Sequence, residues 1–265
     1  MQLNTHWPQS KHIVILCLVL TSGGIASEAK AQPVPSEALS ARLDVGWRPA
    51  SRTFAGTRIF PLWEEQASFN SQYDISGGGV IDGGLSFPVW RNLALGVDIA
   101  SYRSVNRASI TSEVPHPIFF DLPRSTSGAA SGLERQELGV HLRVAWMTDL
   151  TDWLSLSLST GPSLINTRQD LVATVQHSEI AFPFDKLKFD GHTVTTQSET
   201  TLGWNSAVDV NLFVLKSLPY RALQRVGFGL LLRYIRGSVD LSVSDTPIEV
   251  DLGGLQMTTG LRFRF

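Results

Sequence analysis

The chain has 265 residues, of which 22 are Lys or Arg and 24 are Asp or Glu, so its net charge is −2 at pH 7. A chain without a basic surplus lacks the electrostatic footprint of a nucleic-acid-binding protein. Charged residues make up only 17% of the chain, and its single cysteine excludes an intramolecular disulfide.

The first 31 residues have the features of a secretory signal peptide. An apolar run over residues 13–20 follows a polar start, and Ala29-Lys30-Ala31 matches the small-x-small cleavage pattern. The run is too short to cross a bilayer, which takes about 20 residues. We therefore predict cleavage near Ala31-Gln32, with an uncleaved anchor as the alternative. A short tether over residues 32–38 and one domain over residues 39–265 would follow.

From residue 39 onward the dominant pattern is alternation of apolar and polar residues, which is typical of strands with two unlike faces. Each alternating segment has about the length that a tilted membrane strand needs. The eight segments are Ser40–Arg48, Gly79–Phe87, Leu93–Arg103, Arg135–Met147, Trp153–Leu164, Thr201–Val214, Arg225–Ile235 and Gly254–Phe265.

The connections between these segments alternate between short and long. Long connections, such as residues 104–134 and 165–200, alternate with short ones, such as residues 148–152. Short turns at one end and long loops at the other are typical of an outer-membrane barrel. The sequence predicts an all-β fold: an eight-stranded antiparallel up-and-down transmembrane β-barrel. Gly237 and Gly253-Gly254 are predicted bulges that reset the register within the last long connection.

One face of every segment is free of Asp, Glu, Lys, Arg and His, whereas the other face carries arginines, carboxylates and many glycines. A soluble barrel would turn the apolar face inward, and its polar face would be rich in Lys and poor in Gly. A Gly-rich face of arginines and carboxylates instead indicates a crowded interior with bidentate ion pairs. We therefore place the polar face in the lumen and the apolar face against lipid.

The predicted lumen charge network has two interpretations. In the first it is a near-neutral packed plug, and in the second it is a candidate gate in which ion pairs exchange partners. Eight strands enclose a space just wide enough for side chains, which favours the plug. The predicted members are Arg42, Asp44, Asp82, Asp98, Glu137, His141, Arg143, Asp209, Arg233, Arg262 and Arg264, with Arg48 on the same face.

Aromatic residues concentrate near both ends of the predicted strands, as in the interfacial girdles of membrane barrels. The belt at the short turns is predicted to contain Phe87, Trp90, Trp146, Trp153, Phe213, Tyr220, Phe263 and Phe265. The belt at the long loops is predicted to contain Trp47, Tyr102, Trp204 and Tyr234.

The last strand ends in alternating apolar and aromatic residues that include Leu261, Phe263 and Phe265. This ending resembles the C-terminal assembly signal of bacterial outer-membrane proteins. The pattern of the whole domain is similar to that of the outer-membrane protein β-barrel domain family, of the small eight-stranded OmpA/OmpX type. The resemblance implies location in the cell outer membrane. It also implies two partners, the barrel-assembly machinery, which would bind the last strand, and outer-membrane lipid with lipopolysaccharide.

No set of residues predicts catalysis, a cofactor or a metal. His177-Ser178-Glu179 holds the residue types of a hydrolytic triad, but neighbours on a strand face opposite ways. His116, Asp121 and His192 match no strong metal-ligand spacing. We therefore expect a protein that is not an enzyme and has no cofactor.

The long connections carry Phe119, Phe120, Phe182 and Phe184. We expect these rings to cover the barrel mouth or to extend the outer belt, although exposed apolar clusters also mark binding surfaces. The predicted function is a structural barrel, or one that binds an unknown external ligand through its loops, with a largely plugged lumen. A narrow, porin-like channel for small solutes is the alternative, and a lipid A-modifying enzyme is a third candidate.

Overall fold

The computed structural model describes residues 39–49, 52–214, 224–243 and 246–265. The predicted signal peptide over residues 1–31, the tether over residues 32–38 and the predicted belt residue Tyr220 lie outside these described ranges. No helix within the described ranges is both long and apolar enough to cross a membrane.

Ten strands make up the described structure, and the predicted alternation is the reason for their regular two-faced geometry. Their bounds are β1 Ser40–Arg48, β2 Arg52–Leu62, β3 Glu65–Ile75, β4 Gly78–Trp90, β5 Leu93–Val114, β6 Arg124–Asp149, β7 Leu154–Ile180, β8 Lys186–Leu212, β9 Val226–Val243 and β10 Thr246–Arg264.

Eight of these strands close into an antiparallel barrel in the ring order β1-β4-β5-β6-β7-β8-β9-β10 and back to β1. The closing contact between β1 and β10 runs from Ser40↔Arg264 to Trp47↔Met257. The hairpin of β2 and β3 is inserted between β1 and β4, and β3 pairs with the far end of β5. The predicted eight-stranded up-and-down barrel is therefore confirmed. The β2–β3 hairpin is an addition to it, joined to the barrel by the pairing of β3 with β5.

Most strands extend well beyond their predicted ends. The longest, β7 and β8, have 27 residues each and stay paired up to Ile180↔Lys186. Such a strand is about 90 Å long at roughly 3.3 Å per residue, about three times the thickness of a bilayer's hydrocarbon core. The predicted long loops are therefore mostly continuations of the strands, and they build a separate outer part of the molecule.

Near the short turns, the barrel has an apolar exterior and a charged interior. Outward residues such as Leu43, Ile99 and Phe228 are exposed, whereas the inward residues Asp44 and Asp98 are fully buried. This arrangement confirms the predicted assignment of the two faces. It is the arrangement expected of a membrane-spanning barrel, because a charge on the lipid face costs about 2–4 kcal/mol at mid-bilayer.

Farther from the short turns the two faces exchange character, and we call this part the outer lobe (residues 52–75, 103–134, 165–203, 235–243 and 246–253). Outward residues of β5 become polar, as at Arg103, Arg107 and Glu113. Inward residues become apolar and form one core. An apolar interior with a polar exterior is the arrangement found in water-soluble β-barrels. The core consists of Phe69, Tyr73, Ala108, Ile110, Ala130, Leu133, Ile165, Leu171, Val172, Ile235, Val239, Leu241, Val250 and Leu252.

The predicted bulges at Gly237 and Gly253-Gly254 are wrong. Strands β9 and β10 pair without a register shift, with Gly237 opposite Leu252. In the outer lobe the apolar residues of these strands, such as Leu241 and Leu252, point inward, because the interior there is apolar. The change in the apolar pattern therefore needs no shift in register. Gly253 and Gly254 do have positive φ angles of 81° and 123°, a conformation that suits glycine. A register shift does occur elsewhere, in β6 next to Gly132, whose φ is 78°.

Both predicted aromatic belts exist, with two wrong members. Tyr102 and Phe213 are buried inside the barrel. Tyr102 has inward parity in β5, and its hydroxyl donates to the Ser76 carbonyl at 3.0 Å. The outward belt residues exposed in the structure are Phe87, Trp90, Trp146, Trp153 and Phe265 at the short turns, and Trp47, Trp204 and Tyr234 at the other end.

Candidate functional site

Eight charged side chains fill the middle of the lumen, and we call them the central cluster. They are only 0–6% exposed, and they comprise four arginines and four aspartates, so the formal charge of the cluster is zero. Its members are Arg42, Asp44, Asp82, Asp98, Arg143, Asp209, Arg233 and Arg262. All eight belong to the network predicted from the sequence.

Arg233 lies at the centre of this cluster. Its Nη1 is 2.5 Å from Asp82 Oδ2, and its Nη2 is 2.5 Å from Asp98 Oδ2. Arg42 contacts the same two carboxylates, at 2.9 Å from Asp82 and 2.7 Å from Asp98. Arg143 adds a contact of 3.0 Å between its Nε and Asp98. Charges buried this deeply are tolerated only when they are paired and hydrogen-bonded.

Arg262 forms the second half of the central cluster. Its Nη1 is 2.5 Å from Asp44, its Nη2 is 2.8 Å from Asp209, and its Nε donates to Asn211 at 2.7 Å. The two halves meet where Arg42 Nη1 lies 3.9 Å from Asp209. Together the pairs link seven of the eight barrel strands across the lumen. This arrangement closes the interior by side chains.

Glycines leave the space that these side chains occupy. A Cβ at Gly229 would lie 2.3 Å from the Arg262 guanidinium, and a Cβ at Gly96 would lie 2.7 Å from Arg143 Nε. A Cβ at Gly84 would clash with an Asp98 carboxylate oxygen at 2.0 Å. The predicted role of the inward glycines, to make room for charged groups, is confirmed at these positions.

A smaller group, which we call the upper cluster, lies between the central cluster and the outer lobe. Arg48 Nη1 is 2.5 Å from Glu137, and Arg135 contacts the same carboxylate at 2.8 Å. Arg135 was not among the predicted members of the network, although it has the same parity as Glu137 and is equally buried. With two arginines and one glutamate, the upper cluster carries a formal charge of +1, and Arg48 also lies over the Tyr102 ring.

Two predicted members of the lumen network lie apart from these clusters. His141 is buried opposite Asp98 in the β5–β6 pairing, but the hydrogen-bond partner of its Nδ1 is Ser163 Oγ, at 2.8 Å. Arg264 lies near the short turns, 3.6 Å from Asp149, and its guanidinium covers the Phe213 ring at 3.9 Å. The structure therefore does not bring these two side chains into the ion-pair network.

The far end of the outer lobe carries four exposed aromatic side chains, Trp63, Phe119, Phe120 and Phe182, which we call the tip. Phe120 is 74% exposed and Phe182 is 79% exposed. The expectation that the loop phenylalanines cover the barrel mouth or extend the belt is therefore wrong for the three in the tip. Phe184 is half-buried and packs edge-on against Phe182 at 5.9 Å.

Arg124 holds the tip together. Its guanidinium pairs with Glu179, donates to the Phe184 carbonyl at 2.5 Å and donates to the Pro115 carbonyl at 2.7 Å. These bonds join the β5–β6 turn to the β7–β8 turn, and Arg124 itself is buried. A third hairpin is linked through Asp121, whose backbone N–H donates to Glu65 at 3.0 Å.

Two of the residues considered for catalysis or metal binding, Glu179 and His116, have ion-pair or hydrogen-bond partners in the outer lobe. Glu179 pairs with Arg124, and His177 and Ser178 alternate along the same strand. His116 Nδ1 accepts the backbone N–H groups of residues 118 and 119, and its Nε2 lies 3.1 Å from the Pro183 carbonyl. Within the described ranges, no three His, Cys, Asp or Glu residues are grouped as metal ligands would be.

The residues of the predicted C-terminal assembly signal share the outward face of β10. Leu261 and Phe265 are exposed, and Phe263 is half-buried. Leu261 pairs with Leu43 of β1 on one side and with Phe228 of β9 on the other. The signal residues therefore lie on the outer surface, next to the contact that closes the barrel.

Solved structures similar to this chain include outer-membrane proteins. Neisserial surface protein A matches with 12% identity over 86% of this chain and 97% of its own, at a TM-score of 0.43. OprG from Pseudomonas aeruginosa matches with 7% identity over 87% and 96%, at 0.48. The protease OmpT from Escherichia coli matches with 11% identity over 89% and 100%, at 0.35.

The likeness is one of fold. No protein-family model matches the sequence, and no curated protein matches it either.

Proposed function

We propose that this protein is an integral outer-membrane β-barrel that anchors a rigid outer lobe and binds an external target through its aromatic tip. The observation that carries the proposal is the exposure of four aromatic side chains at the point where three hairpins are fastened together. Loops held on a rigid scaffold are where binding residues usually lie.

The membrane part of the proposal rests on the exterior of the barrel. A closed barrel leaves no strand edge unpaired in hydrocarbon, and its uncharged outer face suits acyl chains. Just beyond the belt at the long loops, the exterior carries exposed arginines, including Arg103 and Arg236, the cross-strand partner of Trp204. Arginines at this level suit the phosphate groups of lipopolysaccharide, which supports the outer membrane as the location.

The closed lumen favours anchoring over solute transport. The central cluster ties opposite walls together with ion pairs as short as 2.5 Å, and no carboxylate in it lacks an arginine. Exchanging partners would leave a buried charge unpaired, at a cost of several kcal/mol. A porin-like channel is therefore the second candidate. We assign no catalytic residue.

The tip suits binding because its rings are both exposed and held in place. Aromatic side chains contribute a large apolar area and lose little conformational entropy on binding, which is why they dominate binding hot spots. A soluble surface normally leaves such residues scattered, whereas here Phe119, Phe120 and Phe182 lie on two turns joined by Arg124.

The tip can be tested on cells that display the protein, using agarose beads that carry decyl chains as an apolar probe and unmodified beads as the baseline. We expect the Phe120→Ser/Phe182→Ser variant to lose most of the retention on decyl beads, because it removes the two most exposed rings. Val194→Ser is the matched control, since Val194 is an exposed apolar residue on the flank of the outer lobe. Equal retention of all three proteins at equal surface levels would contradict the proposal.

A further inference from the structure

The barrel contains a cavity of about 250 Å³ at its short-turn end, which we call the vestibule. Its floor is the underside of the central cluster, formed by Arg42, Arg143, Asp209 and Arg262. Its wall includes apolar side chains, among them Met147 and Phe213. The vestibule is therefore a dead-end chamber that opens away from the outer lobe.

The rim of the vestibule is electropositive. The central cluster beneath it is formally neutral, whereas the described residues of the rim add Arg91, Arg225 and Arg264 against Asp149 and the C-terminal carboxylate of Phe265. Arg264 is fixed in place, because its guanidinium lies over Phe213 at 3.9 Å and its Nη2 donates to Ser155 at 3.1 Å. A narrow site with low-dielectric walls and a surplus of arginine concentrates anions.

Two buried side chains that line the vestibule have polar atoms that make no hydrogen bond, although Arg42 Nη1 keeps its ion-pair contact of 3.9 Å with Asp209. The Nε and Nη1 atoms of Arg42 make no hydrogen bond, although Arg42 is only 6% exposed. The Ser157 hydroxyl, on a residue 4% exposed, also lacks one. Buried donors are normally satisfied, so these atoms retain unused donor capacity beside the vestibule. An oxyanion has the acceptor oxygens that both donors require.

We propose that the vestibule binds a small oxyanion, a carboxylate or phosphate, between Arg42 and Ser157 at its floor and Arg264 at its rim. This site is independent of the proposed role of the tip, since it lies at the opposite end of the molecule. Phe213, beside Arg264, provides an apolar surface for the remainder of an organic anion. The site binds its anion without a covalent step.

The test is isothermal titration calorimetry of the full domain refolded in an uncharged detergent, in low-salt Tris-chloride. The probes are inorganic phosphate and benzoate, a carboxylate that carries an aromatic ring. We expect saturable binding of one anion to each barrel. Arg264→Gln should weaken it about tenfold because it removes a charged donor. Ser157→Ala should weaken anion binding several-fold. Because it leaves the arginines of the rim unchanged, it tests the same site if Arg264→Gln refolds poorly.

Two matched controls locate the site. Ser159→Ala removes an inward hydroxyl of β7 that does not line the vestibule, and Arg103→Gln removes an arginine near the other end of the barrel. Both should keep the affinity of the unmodified protein. Absence of saturable binding of both anions would overturn the proposal, as would equal affinity in the unmodified, Ser157→Ala and Arg264→Gln proteins. A preference for benzoate over phosphate would identify an organic anion as the ligand class.

Discussion

Arg233 reaches from one wall of the barrel to Asp98 on the opposite wall, with 2.5 Å between Nη2 and Oδ2. Strands β9 and β5, which carry these residues, stand opposite each other in the ring of eight. A single side-chain pair therefore spans the lumen. This pair joins walls that the β-sheet hydrogen bonds connect only around the circumference.

Replacement of Arg233 with methionine should destabilise the barrel strongly. Asp82 and Asp98 would remain buried with one arginine partner fewer, and breaking a buried pair in this way costs about 3–5 kcal/mol. The measurement is the free energy of unfolding in urea, for protein refolded into lipid vesicles and followed by tryptophan fluorescence.

The control for this prediction is Arg103→Met. Arg103 pairs with Glu134 at 2.7 Å, but both side chains are exposed, and such surface pairs contribute about 0–1 kcal/mol. Equal losses of stability in the two variants would show that the cross-lumen pair stabilises the barrel no more than an exposed surface pair does. Asp98→Asn should restore part of the stability lost in Arg233→Met, because it returns the formal charge of the central cluster from −1 to zero.

The membrane-spanning half of the fold could be predicted from the sequence because each strand there has one uncharged face. The same rule failed in the outer lobe, where Leu241 and Val250 lie inward on strands whose outward residues are polar. Alternation records only that two faces differ. Which face is buried depends on whether lipid or water surrounds the strand at that height, and this is not a local property of the sequence.

The candidate site shows the same limit. The inward parity of Asp98 and Arg233 follows from the alternation, but their contact depends on strand tilt and on the order of strands around the ring. Arg135 was missed because it lies at the boundary of its predicted segment. The joining of two turns by Arg124 depends on contacts between hairpins that are distant in sequence. No local pattern carries such information.

The core of the outer lobe should be separable from the barrel by mutation. Leu241→Ala removes a fully buried side chain of that core and should cost about 2–5 kcal/mol of local stability. We expect faster proteolysis within the outer lobe, while heat-modifiable migration in SDS gels, which reports the closed barrel, persists. Ile59→Ala changes an exposed residue of the same lobe and should leave proteolysis unchanged. Loss of heat modifiability in Leu241→Ala would show that the two parts fold as one unit.

The outer lobe should also lose stability at high pH. Burial raises the pKa of Tyr73 above its usual value of 10, although hydrogen bonds from the Val172 backbone N–H and with Ser71 oppose the shift. The neutral phenol is therefore favoured in the folded lobe, and its contribution is full below pH 10 and lost as pH rises through the raised pKa. The measurement is proteolysis of the lobe as a function of pH. Tyr73→Phe should reduce this loss, and an identical pH profile in both proteins would contradict the assignment.

The C-terminal signal should act during assembly and have little effect on final stability. Phe265→Ser changes an exposed residue at the end of the closing strand, so few contacts are lost in the folded barrel. We expect a lower yield of heat-modifiable protein in cells, with unchanged refolding of the purified protein in detergent. Phe228→Ser, on the outward face of β9, is the control for loss of an exposed aromatic side chain. Equal yields of the two variants in cells would show that the C-terminal position has no particular role.

Planar-bilayer conductance should distinguish the anchor from the channel. The unmodified barrel should show no conductance steps, because the central cluster fills the lumen and each of its charges is paired. The double variant Asp98→Ala/Arg233→Ala removes one carboxylate and one arginine from the middle of the cluster, so the formal charge stays zero while the cross-lumen pair is lost. Steps should then appear, and Leu95→Ala, on the outward face of the same strand as Asp98, should remain silent. Steps in the unmodified protein that vanish in Glu137→Ala or Arg143→Ala would instead establish the gated channel and reject a closed lumen.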